Sequence, residues 1–185
     1  MRINFLRKLG LALLTTLAVN IAFAQSYPNR PVRVIIPFPP GGTLDAVGRM
    51  LAQKLSEQMG QPFVIENKPG GNGVIGADLV AKAPSDGYTL LFNASTFTSA
   101  PMTMRQVPYS VEKDFAPIAL VAKAPLSVAI NKNLPVTDIK SLIAYAKTEQ
   151  GKATFATGSI GSAGHLATEL LKRSANIQRS EEHTS

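Results

Sequence analysis

Twice in this chain a short strand-like run gives way to a glycine-rich loop and then to a helix start. That repetition restricts the fold more than any other feature. The first unit is residues 32–36, a β-branched run, then Pro37-Phe38-Pro39-Pro40-Gly41-Gly42, then a helix from Thr43. The second is residues 153–156, then Thr157-Gly158-Ser159-Ile160-Gly161-Ser162-Ala163-Gly164, then a helix from about His165 to Arg173. Prolines remove ladder donors and glycines permit tight turns, so neither loop continues its strand. Alternation of this kind predicts an α/β protein. A helix start also presents unpaired N–H groups and a positive dipole end, and glycine lets a ligand approach the backbone. Each unit is therefore a candidate seat for a carboxylate or phosphate.

Between the two units the pattern continues. Leu44, Val47, Leu51 and Leu55 share one face of the first helix, which should stop at Gly60. Residues 63–66 and 88–93 read as strands, with a helix over 74–82 between them. A hydroxyl-rich loop, Ala94-Ser95-Thr96-Phe97-Thr98-Ser99, follows the third strand. Residues 117–121 and 126–131 are predicted as further strands, the second crossing between domains. Thr137 or Asp138 should cap a helix carrying Ile139, Leu142, Ile143 and Ala146.

Several chemistries are excluded early. Hydrophobic residues make up 45% of the chain, enough for a core. There is no Cys and only two histidines, which removes disulfides, thiolate nucleophiles and the usual metal spacings. The formal charge is +7, but the lysines fall singly and without interleaved aromatics, so nucleic acid is not an expected partner. Gly71-Asn72-Gly73-Val74-Ile75-Gly76 matches a dinucleotide fingerprint, yet no acid follows over residues 93–100 to hold a ribose. It reads as a turn, and no cofactor is expected. Thr157-Gly158-Ser159-Ile160-Gly161 approaches the G-x-S-x-G nucleophile pattern with Thr in place of the first Gly. A secreted serine hydrolase using Ser159 is the rival reading, with His165 the available base and no obvious acid to orient it.

The two ends read differently from the middle. Residues 1–24 carry Arg2, Arg7 and Lys8 without an acid, an apolar run over 9–23, and Ala22-Phe23-Ala24 at the exit. This is the layout of a secretory signal cleaved after Ala24, and its 15 apolar residues fall short of a membrane span. Residues 179–185, Arg-Ser-Glu-Glu-His-Thr-Ser, are what the adapter sequence AGA TCG GAA GAG CAC ACG TCT encodes, and are set aside as adapter-derived.

Tyr27-Pro28-Asn29-Arg30-Pro31-Val32 leading to Pro40-Gly41-Gly42-Thr43-Leu44-Asp45 resembles the opening of the Bug-type extracytoplasmic solute receptors. These are the substrate-binding proteins of tripartite tricarboxylate transporters. Asn67-Lys68-Pro69-Gly70-Gly71-Asn72-Gly73, Ala83-Pro84-Ser85-Asp86-Gly87-Tyr88 and Gly158 through Leu166 continue the resemblance. Pro40 stands where the family often has Ala, a mild stiffening of the loop.

The resemblance implies a type II periplasmic-binding fold: two α/β domains around a cleft that closes on a small carboxylate. Residues 25–125 would belong to domain 1 and 126–178 to an incomplete domain 2, with the C-terminal return to domain 1 lacking. It implies Phe38, Gly41, Gly42, Thr43 and Asp45 on one side of the ligand and Thr157, Gly158, Ser159 and Gly161 near His165 on the other. Ser95, Thr96 and Thr98 would add hydroxyls. No Arg lies in these loops, so backbone N–H groups, hydroxyls and waters would replace a bidentate clamp. The implied setting is the periplasm, the implied partners the membrane subunits of the transporter, and no catalysis is expected.

Overall fold

The computed structural model describes residues 27–148 and 154–177. At its centre is a three-stranded parallel sheet of β1 (Val32–Ile36), β2 (Phe63–Asn67) and β3 (Thr89–Leu91), in the order β2-β1-β3. Val32 pairs with Phe63 and Ile36 with Asn67, while Arg33 to Ile35 pair with Thr89 to Leu91. Parallel neighbours require crossovers, and helices supply them. The helix α1 (Thr43–Met59) joins β1 to β2; a 3-10 turn (Gly71–Gly73) and α2 (Val74–Ala81) join β2 to β3.

β1 is the middle strand, so both its faces are covered and it reads as an almost unbroken apolar run. Val32, Val34, Ile35 and Ile36 are buried. Its one charged residue, Arg33, sends its guanidinium to Glu66 on β2 in a bidentate contact of 2.7 and 3.0 Å. On one side Val32, Val34 and Phe63 pack with Ala52 and Leu55 of α1. The deepest positions of α1 are Asp45, Gly48 and Ala52, whereas Leu44, Val47, Leu51 and Leu55 are half-buried. Small residues bring the helix close: a Cβ on Gly48 would stand 2.6 Å from Ile36 Cδ1. On the other side Val74 and Ala77 pack with Ala100 and a cluster of Phe97, Tyr109 and Phe115, whose ring centroids lie 4.8–5.6 Å apart.

Among the described residues three further helices follow: α3 (Thr96–Thr103), α4 (Ile139–Lys147) and α5 (Ala163–Ala175). Asp138 caps α4 by accepting from Ser141 N–H at 2.7 Å. None of the described helices is long and apolar enough to cross a membrane.

Some expectations need correction. The hydroxyl-rich segment after β3 is the start of α3, not a loop. Its side chains satisfy themselves along the helix, Thr98 Oγ1 donating to Ser95 O and Thr103 Oγ1 to Ser99 O. Residues 117–121 and 126–131 form no strand; they run as exposed chain. Their β-branched content suits a pleated, half-buried surface, but propensity without a partner edge does not make a ladder. Residues 154–156 are likewise unpaired, and 153 lies outside the described residues. The signal segment 1–24 and the tail 179–185 also lie outside them.

Candidate functional site

The first loop leaves the end of β1 and enters α1 through Gly42, whose extended backbone caps the helix without any side-chain hydrogen bond. The ladder begins with Ala46 N–H to Gly42 O at 3.0 Å, so the N–H groups of Thr43, Leu44 and Asp45 precede it. Gly41, Gly42 and Thr43 are exposed, while Phe38 is half-buried. Asp45 faces inward. Its Oδ2 accepts from Gly41 N–H at 3.0 Å and from Arg49 Nε at 2.9 Å; its Oδ1 accepts from Asn67 Nδ2 at 2.9 Å. Asn67 Nδ2 also donates to Phe38 O at 3.1 Å, and Asn67 Oδ1 accepts from Arg49 Nη2 at 3.0 Å.

A carboxylate beside an anion seat is therefore no contradiction. Its charge is matched by Arg49, and its oxygens hold Gly41 and Asn67. The Gly41 N–H, expected to face a ligand, is spent on Asp45. Hydrogen bonds from Arg49 first, then Gly41 and Asn67, hold the Asp45 carboxyl well below the usual carboxylate range. A lowered folded pKa stabilises fully above the unfolded value of about 3.9 and is lost as pH falls toward the folded one. Asp45→Asn should thus melt at lower temperature than wild type at pH 7, with the gap narrowing below about pH 4. Thermal melts of both proteins at pH 7, 4 and 3 check this; a gap that does not change with pH contradicts it.

The second loop is held from three sides. Ser162 caps α5 by accepting from His165 N–H at 3.2 Å, and His165 Nδ1 accepts from Gly161 N–H at 3.1 Å. Ser159 Oγ donates to Asn72 Oδ1 at 2.8 Å, Asn72 Nδ2 donates to Ile160 O at 3.0 Å, and Ser99 Oγ donates to Gly161 O at 2.9 Å. Asn72 lies in the 3-10 turn with φ 54 and ψ 35, a left-handed conformation Asn tolerates. On the same turn, a Cβ on Gly73 would stand 3.4 Å from Phe38 Cζ. The Gly71–Gly73 turn thus touches both candidate loops.

The dinucleotide-like glycines serve packing: a Cβ on Gly76 would stand 2.7 Å from Pro37 Cβ and 3.0 Å from Lys68 O. Among the described residues no group of His, Asp and Glu is placed to hold a metal ion. Asn93 Nδ2 and Thr96 Oγ1 are buried without a partner among the described residues, just beyond β3 and at the start of α3. That is the carboxyl end of the strands, where open α/β sheets bind ligands. Ser95 and Thr98 are exposed beside them, and on the second loop Gly158 is exposed and Thr157 half-buried.

Sequence reading missed Asn67, Arg49, Asn72 and Ser99 as positioning residues. Only the Asp45–Arg49 pair had a local signal, its i,i+4 spacing on α1.

These features make an α/β protein whose two candidate loops gather at the carboxyl edge of the parallel sheet. The model of the tripartite tricarboxylate transporter family receptor matches residues 47–184, and the chain belongs to that family. The match runs through most of the tail set aside as adapter-derived. The Bug protein BugT of Bordetella pertussis is 42% identical over 154 residues, covering 80% of this chain and 46% of its own length. A protein from the tcbD-tcbE intergenic region of Pseudomonas sp. strain P51 is 39% identical over 170 residues, 91% of this chain and 51% of the relative.

Among solved structures, R. palustris Rpa4515 with adipate is 36% identical with a TM-score of 0.78, covering 85% of this chain and 53% of that one. MatC from Rhodopseudomonas palustris with bound malate is 29% identical with a TM-score of 0.73, covering 86% and 54%. The fold is thus that of the periplasmic binding proteins, and the relatives are receptors, not enzymes. The chain spans about half the length of the relatives it matches. The hydrolase reading finds no support: Ser159 gives its proton to an amide oxygen, which cannot act as a base.

Proposed function

We propose that this chain supplies the two ligand loops of an exported receptor that captures a small carboxylate and delivers it to the membrane subunits of a tripartite transporter. The observation that carries the reading is the exposed start of α1, which no side chain caps and whose entry loop the Asp45 network holds in place. A carboxylate seated there gains from the helix dipole by ~0.3–1 kcal/mol when exposed and up to ~2 when partly buried. Phe38, Gly42 and Thr43 would meet it on one side, and Thr157, Gly158 and the backbone N–H of Ser159 on the other. Gly41, Asp45, Gly161 and His165 would shape the loops, and Ser95, Thr96 and Thr98 would lie at the margin. Two solved relatives carry dicarboxylates, adipate and malate, which supports the solute class.

The setting would be the periplasm, with residue 25 the mature N-terminus. Domain 1 would take residues 25–125, and domain 2 would begin at 126. A thermal-shift panel of di- and tricarboxylates, sugars and amines tests the reading on the receptor built out to its relatives' full length. Stabilisation by carboxylates alone is expected; a shift confined to sugars or amines would overturn it.

A further inference from the structure

The hydrogen bonds around Asn72 fix the polarity of Ser159. The Ile160 carbonyl can only accept, so it must face the amide Nδ2 of Asn72, 3.0 Å away. The Asn72 Oδ1 is thereby turned to Ser159, 2.8 Å from Oγ. An amide oxygen also only accepts, so the single hydroxyl hydrogen of Ser159 is committed to Asn72. Toward any other neighbour Ser159 offers lone pairs alone. A carboxylate oxygen likewise offers lone pairs alone, so the two would repel. The geometry points to a different occupant. We infer that Ser159 receives a hydrogen-bond donor carried on the carbon chain of the solute, a hydroxyl or an ammonium group, and that Asn72 is the positioning residue that imposes this preference.

This inference rests on the receptor reading above and narrows its substrate class to donor-bearing carboxylates. Ile160 and Ser159 are adjacent, so one amide reads both a backbone and a side-chain group and holds the loop in a single register. The left-handed backbone of Asn72 brings its side chain to that point from a turn 87 residues earlier in the chain. Losing a committed hydrogen bond between a buried site and a solute donor leaves the acceptor unpaired, which is how polar sites discriminate against analogues lacking one group.

The test uses the full-length receptor and calorimetry with matched pairs: malate against succinate, 2-hydroxyadipate against adipate, citrate against tricarballylate. Aspartate separates an ammonium donor from a hydroxyl. Wild type should bind at least one donor-bearing member about tenfold more tightly than its plain partner. Ser159→Ala should bring that ratio within about twofold, and Ser159→Thr should restore it. Asn72→Ala, which frees the Ser159 proton, should tighten the plain carboxylate relative to its hydroxylated partner. Equal affinities within every pair in wild type, or an unchanged ratio in Ser159→Ala, would overturn the inference while leaving the receptor intact. Failure of every carboxylate to bind would instead overturn the receptor reading and this inference with it.

Discussion

Gly161→Val is expected to weaken carboxylate binding about a hundredfold in the full-length receptor. Gly161 has φ +77, a conformation that costs an L-residue ~1–2 kcal/mol. Its new Cβ would also stand 2.5 Å from Thr103 Oγ1 and 3.0 Å from Thr103 Cβ, and relieving such overpacking typically costs ~1–3 kcal/mol. The neighbours cannot give way independently. Thr103 Oγ1 is bonded to Ser99 O, Ser99 Oγ to Gly161 O, and Gly161 N–H to His165 Nδ1. Moving one therefore moves the second loop off α3. Gly41→Val provides a graded comparison. Its φ is +88 but nothing stands within 4 Å of the new Cβ, so only the backbone cost applies and a loss of about tenfold is expected. Lys140→Ala, on the exposed side of α4, should leave affinity unchanged. Calorimetry decides the order, and wild-type affinity in Gly161→Val would contradict the placement of this loop.

The second large effect concerns the exposed apolar segment. Ile118 and Leu120 are 80% and 74% exposed, and Leu126 and Val128 are each 61% exposed. Apolar side chains gathered along one extended segment form the kind of surface that associates unless covered. Residues 25–178 expressed alone should therefore bind a hydrophobic dye strongly, melt over a broad range and aggregate. Ile118→Lys with Val128→Lys should raise the soluble yield of that segment several-fold. A sharp, cooperative melt without dye binding in the unmodified segment would show that this surface is already buried in solution.

How far the sequence could be read depended on the range of the contacts. β1 was legible to the residue because a β-branched run stood between Pro31 and Pro37, and burial on both faces left no alternation to misread. The first helix was bounded by Gly42 and Gly60 for local reasons that hold in any context. The segment after β3 was misread because Ser and Thr hydroxyls bond equally well to loop and helix backbone, and packing of Phe97 on Tyr109 favours the helix. Residues 117–131 had strand composition without a strand partner. Asn67 and Asn72 could not be found at all: their partners lie 18 to 88 residues away, and nothing near either Asn announces them.

The central claim is that a carboxylate sits between the start of α1 and the 157–161 loop. Backbone amide shifts of the full-length receptor, followed as malate or the best carboxylate from the panel is added, test it most directly. The account predicts saturable shifts at Thr43, Leu44, Gly158 and Ser159, with the α4 amides around Lys140 unmoved. Saturable shifts confined to other surfaces, with these four amides silent, would contradict it.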